Sequence, residues 1–323
     1  MKKDFWSIAQ RLFPFLGLLV IVVFFTIISG DRMWTQRNIL NIVNIMIPMC
    51  LGAAGMVFVS AQGSTDMSQG SLLALCGTMG GLASLSLGFW ALVPAALLTG
   101  AIVGAFNGTM LAHFKVPSIT VTLAMLIALR AIVSFITTGQ AVFLSPRILF
   151  FNRMGVKITI AAVVLAIMWY LFEYTKAGFF SRCIGENQVV GQFSGISVKL
   201  FKILAFTLSG IMAGLVGVFT VCSIGGVSPT MGNFFELQVM TAMFVGGIPV
   251  TGGANARFYK IVVGSLMIAV LRNGLAISKV SAEMTGLIQG LILLTVVCLD
   301  IALRQKLIEK QMFAAPKTRE SAA

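Results

Sequence analysis

GFFSRCIGENQVVGQFSGISVKLFK, from Gly178 to Lys202, is the longest polar interruption in the middle of an otherwise apolar chain. It carries Arg182, Glu186, Asn187, Gln188, Gln192, Lys199 and Lys202, while Val189, Val190 and Phe193 are spaced as one apolar face of a short helix. Long apolar runs lie on both sides of it. The stretch therefore reads as a polar connection between spans, either an ordinary solvated loop or a small surface helix with an apolar side.

The surrounding composition sets the class. Of 323 residues, 58% are hydrophobic and 10% charged, and the mean hydropathy is +0.98. A soluble domain is closer to half apolar and a quarter charged. The chain reads as an all-α, polytopic membrane protein. A span needs about 20 apolar residues, and ten can be placed, at 12–30, 39–61, 69–87, 90–111, 118–138, 157–175, 201–222, 236–249, 259–278 and 285–303. The eighth is short for a crossing and reads as broken or re-entrant. Residues 1–11 form a basic amphipathic segment, 12–303 the membrane domain, and 304–323 a polar tail. No small-x-small cleavage site follows the first apolar run before Asp31, so that run is read as a retained span.

Charge then orients the spans. With the N-terminus inside, fifteen Lys and Arg fall on the cytosolic side. Six fall outside, namely Arg32, Arg37, Arg147, Arg153, Lys157 and Lys279. Arg130 and Arg272 fall within spans. The asymmetry places both termini in the cytosol, with Gly178–Lys202 on the same side. The net charge of +13 is explained by short loops and anionic headgroups rather than by nucleic acid.

Several chemistries are disfavoured. The chain has one histidine, His113, and no H-E-x-x-H or C-x-x-C, so it offers neither a histidine metal cluster nor a Ser-His-Asp triad. It has no G-x-x-x-x-G-K-[ST] loop, so ATP hydrolysis needs another chain. Acidic residues within the spans are few, which leaves little for a proton relay. Glycine is patterned as G-x-x-x-G at Gly100, Gly104 and Gly108, at Gly210 and Gly214, and at Gly286 and Gly290. Such ladders read as close helix packing. Pro48 lies within the second span, Pro229 and Pro249 bracket the eighth, and Pro146 lies in an outer loop long enough to meet an external partner.

Four motifs, in order, resemble the permease subunits of ABC sugar importers of the ribose type. Gly63-Ser64-Thr65-Asp66-Met67-Ser68-Gln69-Gly70 is similar to the family's G-G-I-D-L-S-V-G, keeping the first Gly, Asp66, Ser68 and Gly70. Asn107-Gly108, Lys115-Val116-Pro117-Ser118 and Thr120-x-Thr122-Leu123 resemble its fourth and fifth spans. Glu236-Leu237, Gly246-Gly247 and Gly252-Gly253 resemble its Y-E-L and G-G pairs, and Asn273-Gly274 its N-N-G, with Arg272 in place of the first Asn. The opening stretch resembles its cytosolic coupling loop, with Phe179 and Glu186 where the family usually has Arg and Gly.

The resemblance runs from about Val57 to Asp300. It implies a non-enzymatic permease of a bacterial-type inner membrane that imports a monosaccharide or similar small polar solute. It also implies a second permease subunit, identical or not, an extracytoplasmic solute-binding protein, and a cytosolic ABC ATPase that carries ATP and Mg; no cofactor is expected on this chain. Gly185, Glu186, Asn187, Val189, Val190, Phe193, Ser194 and Gly195 are the expected ATPase-coupling residues, with Glu186 to Gly195 forming a short helix flanked by glycine hinges. Asp66, Arg130, Arg272 and Asn273 are candidates for the solute path. Asp66 also suits a cap on the third span, and Arg130 a structural hydrogen bond. Related permeases for branched-chain amino acids or nucleosides, or a transporter working without an ATPase, are the alternatives.

Overall fold

The computed structural model describes the backbone of residues 2–314 and the side chains of residues 14–302. The chain forms α1 (Lys2–Ser29), α2 (Gln36–Ala61), α3 (Gln69–Leu87), α4 (Leu92–Phe114), α5 (Ser118–Ile136), α6 (Met154–Tyr174), α7 (Lys176–Glu186), α8 (Gln188–Phe193), α9 (Val198–Ile224), α10 (Phe235–Val245), α11 (Phe258–Ile277) and α12 (Ala282–Ala314). Two short strands, β1 (Val142–Phe143) and β2 (Gly226–Val227), pair antiparallel. Among the described residues, nine helices are long and apolar enough to cross a membrane. The chain is an all-α, multi-pass membrane protein.

The tenth apolar element is α10, and the sequence expectation of a broken crossing holds there. Eleven helical residues rise only about 16 Å, against a hydrocarbon slab of about 30 Å. The rest of the crossing is made by non-helical backbone, residues 228–234. Met231 packs in the bundle core, and Phe235 sits against Gly52, nine residues short of the end of α2. The element therefore starts near mid-depth. Its polar partner stretch, 62–68 between α2 and α3, also turns back into the bundle. Gln69 donates to the Gly52 carbonyl at 2.9 Å, and Ser68, Gln69 and Asp66 are all buried.

The buried centre of the bundle is α2, α3 and α9, and α4 packs on α9 in its closest helix pair. Its closeness rests on glycine. A Cβ on Gly100 would run into the Gly210 carbonyl, one on Gly104 into the Phe206 carbonyl, and one on Gly108 would lie 2.6 Å from the Ile203 Cα. Backbones this close gain contact and need no hydrophobic force that lipid could not also supply. The third ladder differs. Cβ atoms at Gly286 and Gly290 would meet nothing within 4 Å, because α12 is largely uncovered.

The loop with Pro146 is folded down rather than free. It makes β1, a 3-10 helix over Pro146–Asn152, and a buried anchor of Ile148 and Phe151. Of the amphipathic segment expected at 1–11, residues 2–11 lie within α1 as backbone only; residue 1 and the tail from residue 315 lie outside the described residues.

The glycine contacts predict an asymmetric outcome. Gly100→Val or Gly210→Val overpacks a backbone contact, a class of change that costs about 1–3 kcal/mol or more, and lowers the detergent melting temperature and monodispersity. Gly286→Val leaves both unchanged.

Candidate functional site

The end of the bundle that carries α7 and α8, the lower end, presents the stretch from which the sequence reading began. That reading expected one helix from Glu186 to Gly195; the structure has two. Glu186 closes α7, Asn187 turns the chain with φ −160° and ψ 109°, and α8 runs from Gln188 to Phe193. Asn187 is the cap, its Oδ1 accepting the Val189 and Val190 N–H groups at 2.9 and 3.1 Å. A six-residue helix cannot nucleate alone. It is held by that cap, by the Ser194 Oγ donating to the Val190 carbonyl, and by Lys202 Nζ reaching Gln188 Oε1 at 3.1 Å.

Of the two proposed hinges, only Gly195 is one, with φ +81°. Gly185 lies inside α7 and is small for another reason: a Cβ there would collide with the Ala61 carbonyl. Glu186 stays exposed but is tied down, its Oε1 accepting the Ala254 N–H at 2.7 Å. The apolar residues of α8 are turned outward. Phe193 is 90% exposed, and Val189 and Val190 are each 59% exposed. Only Gly191 of this helix is buried. The lower end thus offers a small, rigidly mounted apolar knob.

Sequence reasoning missed its anchor, Glu173 at the end of α6. Its Oε2 accepts from Arg182 at 3.2 Å and Arg257 at 3.1 Å, and its Oε1 from the Phe258 N–H at 2.8 Å. Arg182 also lies 5.0 Å over the Phe172 ring. A lone acid between an apolar run and a basic loop was the signal available.

Inside the bundle the path candidates separate. Asp66 lies in a closed polar cluster: Oδ1 accepts the Ser68 N–H at 3.0 Å and Oγ at 2.6 Å, and Oδ2 accepts the Ser209 hydroxyl at 2.9 Å. Asn107 joins through Ser68. Asp66 thus seats the start of α3 through Ser68 without capping it from the Ncap position. Arg130 donates to the carbonyls of Pro229 and Met231 at 3.1 and 2.6 Å, which is the structural role weighed for it from sequence.

Arg272 donates to Gln238 Oε1 and lines a cavity of about 270 Å³ with Pro48, Thr220, Gly232, Asn233 and Gln238. Asn273, its neighbour, turns instead to α2, where it bonds Asn38 at 2.8 Å and Asn41 at 2.9 Å. Above that network a second cavity of about 710 Å³ is lined by Arg32, Thr35, Arg37, Asn38, Asn41, Asn44 and Asn152 among others. Lys157, buried behind it, holds Asn44 Oδ1.

Residues 38–297 match the family model described as branched-chain amino acid transport system / permease component. The chain belongs to this family of transport permeases. It is 30% identical over 304 residues to a ribose import permease of Haemophilus influenzae, covering 91% of this chain and 93% of the relative. It is 29% identical over 267 residues to the galactofuranose transporter permease of Escherichia coli, covering 80% of this chain and 77% of that relative. A xylose transport system permease of Escherichia coli is 26% identical over 362 residues, covering 90% and 91%. No solved structure matches the chain. The permease is a transporter component, not a catalytic enzyme.

Two carbonyls of irregular backbone depend on one guanidinium. Arg130→Met, which keeps the stem and deletes the donors, is expected to destabilise the permease by about 1.5–3 kcal/mol. Thermal unfolding in detergent measures it, with Arg147→Met as the neutral control.

Proposed function

We propose that this permease is the membrane-spanning subunit of an ATP-driven importer of a monosaccharide, supplied from outside by a solute-binding protein. The observation that carries the reading is the exposed Val189, Val190 and Phe193 on a helix that is fixed in place by its own cap. Three apolar side chains held in water at the end of a membrane bundle are costly without a partner, and a surface of this kind suits docking. The partner is a cytosolic ABC ATPase, with ATP and Mg on that chain. A second permease, identical or not, completes the pair.

The lower end faces the cytosol of a bacterial-type inner membrane, as the distribution of Lys and Arg supports. Although the family description names branched-chain amino acids, the relatives named above carry ribose, galactofuranose and xylose, which favours a sugar-sized polyol. An importer without an ATPase would leave the knob on α8 without a function.

Phe193→Ala removes an anchor of a type that contributes about 2 kcal/mol or more at interfaces. The variant is expected to insert and melt as wild type, to lose the co-purifying ATPase, and to lose solute-stimulated ATP hydrolysis and uptake together. Retention of both with normal folding would refute the docking. Orientation is checked separately. With Cys183 and Cys298 replaced by Ser, Ser197→Cys should label only in inverted vesicles and Ser278→Cys in intact cells.

A further inference from the structure

The two cavities share one face of α2. Asn38, Asn41 and Asn44 line the upper one, and Pro48 and Met49 line the middle one. These positions recur at the spacing of a single helix face. In the orientation proposed above, the face leads from the outer mouth toward mid-depth.

The charge along this route is one-sided. Arg32 and Arg37 line the upper cavity and Arg272 the middle one, and no Asp or Glu lines either. Among the described residues, Arg32 and Arg37 have no side-chain hydrogen bond or ion pair, and Arg272 has only the neutral Gln238. The cavities are also met by positive helix ends. The upper one takes in the starts of α2 and α6 through Thr35, Asn152 and Met154; the middle one takes in the start of α10 through Gly232, Asn233 and Phe235. Glu236, in the first turn of α10, does not line it and lies against Gly70. Arg272, partly buried with no anionic partner, is costly at that depth, and Arg32 and Arg37, exposed at the mouth, add a positive field that raises the local concentration of anions. A neutral sugar needs hydroxyl partners, which the asparagines supply; it does not need three guanidiniums.

We propose that the solute of this permease is a monosaccharide-sized molecule bearing a negative charge, a sugar carboxylate or a sugar phosphate, drawn in past Arg32 and Arg37 and met at mid-depth by Arg272. This rests on the importer reading. The asparagines then serve the hydroxyls and the arginines the anionic group, whose charge-assisted bonds are the stronger set.

The test is uptake by vesicles containing the permease with its own ATPase and binding protein, using labelled D-ribose, D-ribonate and D-ribose 5-phosphate. The expected result is ATP-dependent uptake of ribonate or ribose 5-phosphate in preference to ribose. Arg272→Gln should lower it about tenfold or more, and Arg272→Lys should lower it less. Arg37→Gln, at the exposed mouth where folding is not at stake, should raise KM for the anion alone. The preferred anion separates carboxylate from phosphate. ATP-dependent uptake of ribose that is indifferent to Arg37→Gln and Arg272→Gln overturns the anionic solute and leaves the importer standing. Equal losses for ribose and both anions in Arg37→Gln would assign the mouth arginines to docking of the binding protein and also overturn it. Uptake that proceeds without ATP overturns the importer reading, and this inference with it.

Discussion

Backbone amides and carbonyls inside hydrocarbon must find partners within the protein. Most of this chain meets the demand with helices. Two stretches do not, 62–68 and 228–234, and the rest of the bundle is arranged around them. Pro229 has no N–H, and its carbonyl and that of Met231 are answered by the guanidinium of Arg130 rather than by a helix. The 62–68 stretch is answered by short side chains: Asp66 holds Ser68, Ser209 holds Asp66, and Ser118 Oγ accepts the Thr65 N–H. Charged and hydroxyl groups that would be expensive in lipid are the cheaper alternative to naked peptide groups at this depth.

Such stretches survive only if protein surrounds them. The glycine contacts of α4 with α9, and of α3 with α9 at Gly77 and Gly217, draw three helices together closely enough to do so. Gly70 shows the same requirement from the other side. A Cβ there would collide with both the Glu236 carboxylate and the Gly232 carbonyl, so the start of α3 and the start of α10 touch because one residue has no side chain. The sequence motifs around Asp66 and Glu236, far apart in the chain, therefore meet as one contact in space.

Much of this was legible from residue order. Apolar run length gave the ten elements, and the shortness of the eighth showed that it could not cross alone. Glycine spacing marked the fourth and seventh spans as closely packed, without naming them as partners. The same spacing at Gly286 and Gly290 was no guide, since a small-residue ladder names a capacity for contact and not a partner. The break at Asn187 was missed because Glu186 to Gly195 suits a helix throughout. Asn187 ends α7 by capping α8 with its own side chain, and Glu186 is held at that end by Ala254, a residue 68 positions away. The divergence of Arg272 and Asn273 was equally hidden. Adjacent residues on a helix point about 100° apart, so one motif serves a cavity and the other a helix contact.

The lower end of the 62–68 stretch and the turn after α10 are stitched to the surface helices. The Gly253 N–H donates to the Ala61 carbonyl at 2.9 Å, and Gly185 of α7 packs against both residues. Gln62, where α2 gives way to the 62–68 stretch, reaches Ser181 of α7 at 3.1 Å and the Phe201 carbonyl of α9 at 2.9 Å. Glu186 ties the end of α7 to the turn after α10. Helices are stiff along their axes, and packed backbone contacts of this closeness leave no slack. A displacement applied at α8 therefore passes through α7 and α9 to the start of the 62–68 stretch and the turn after α10.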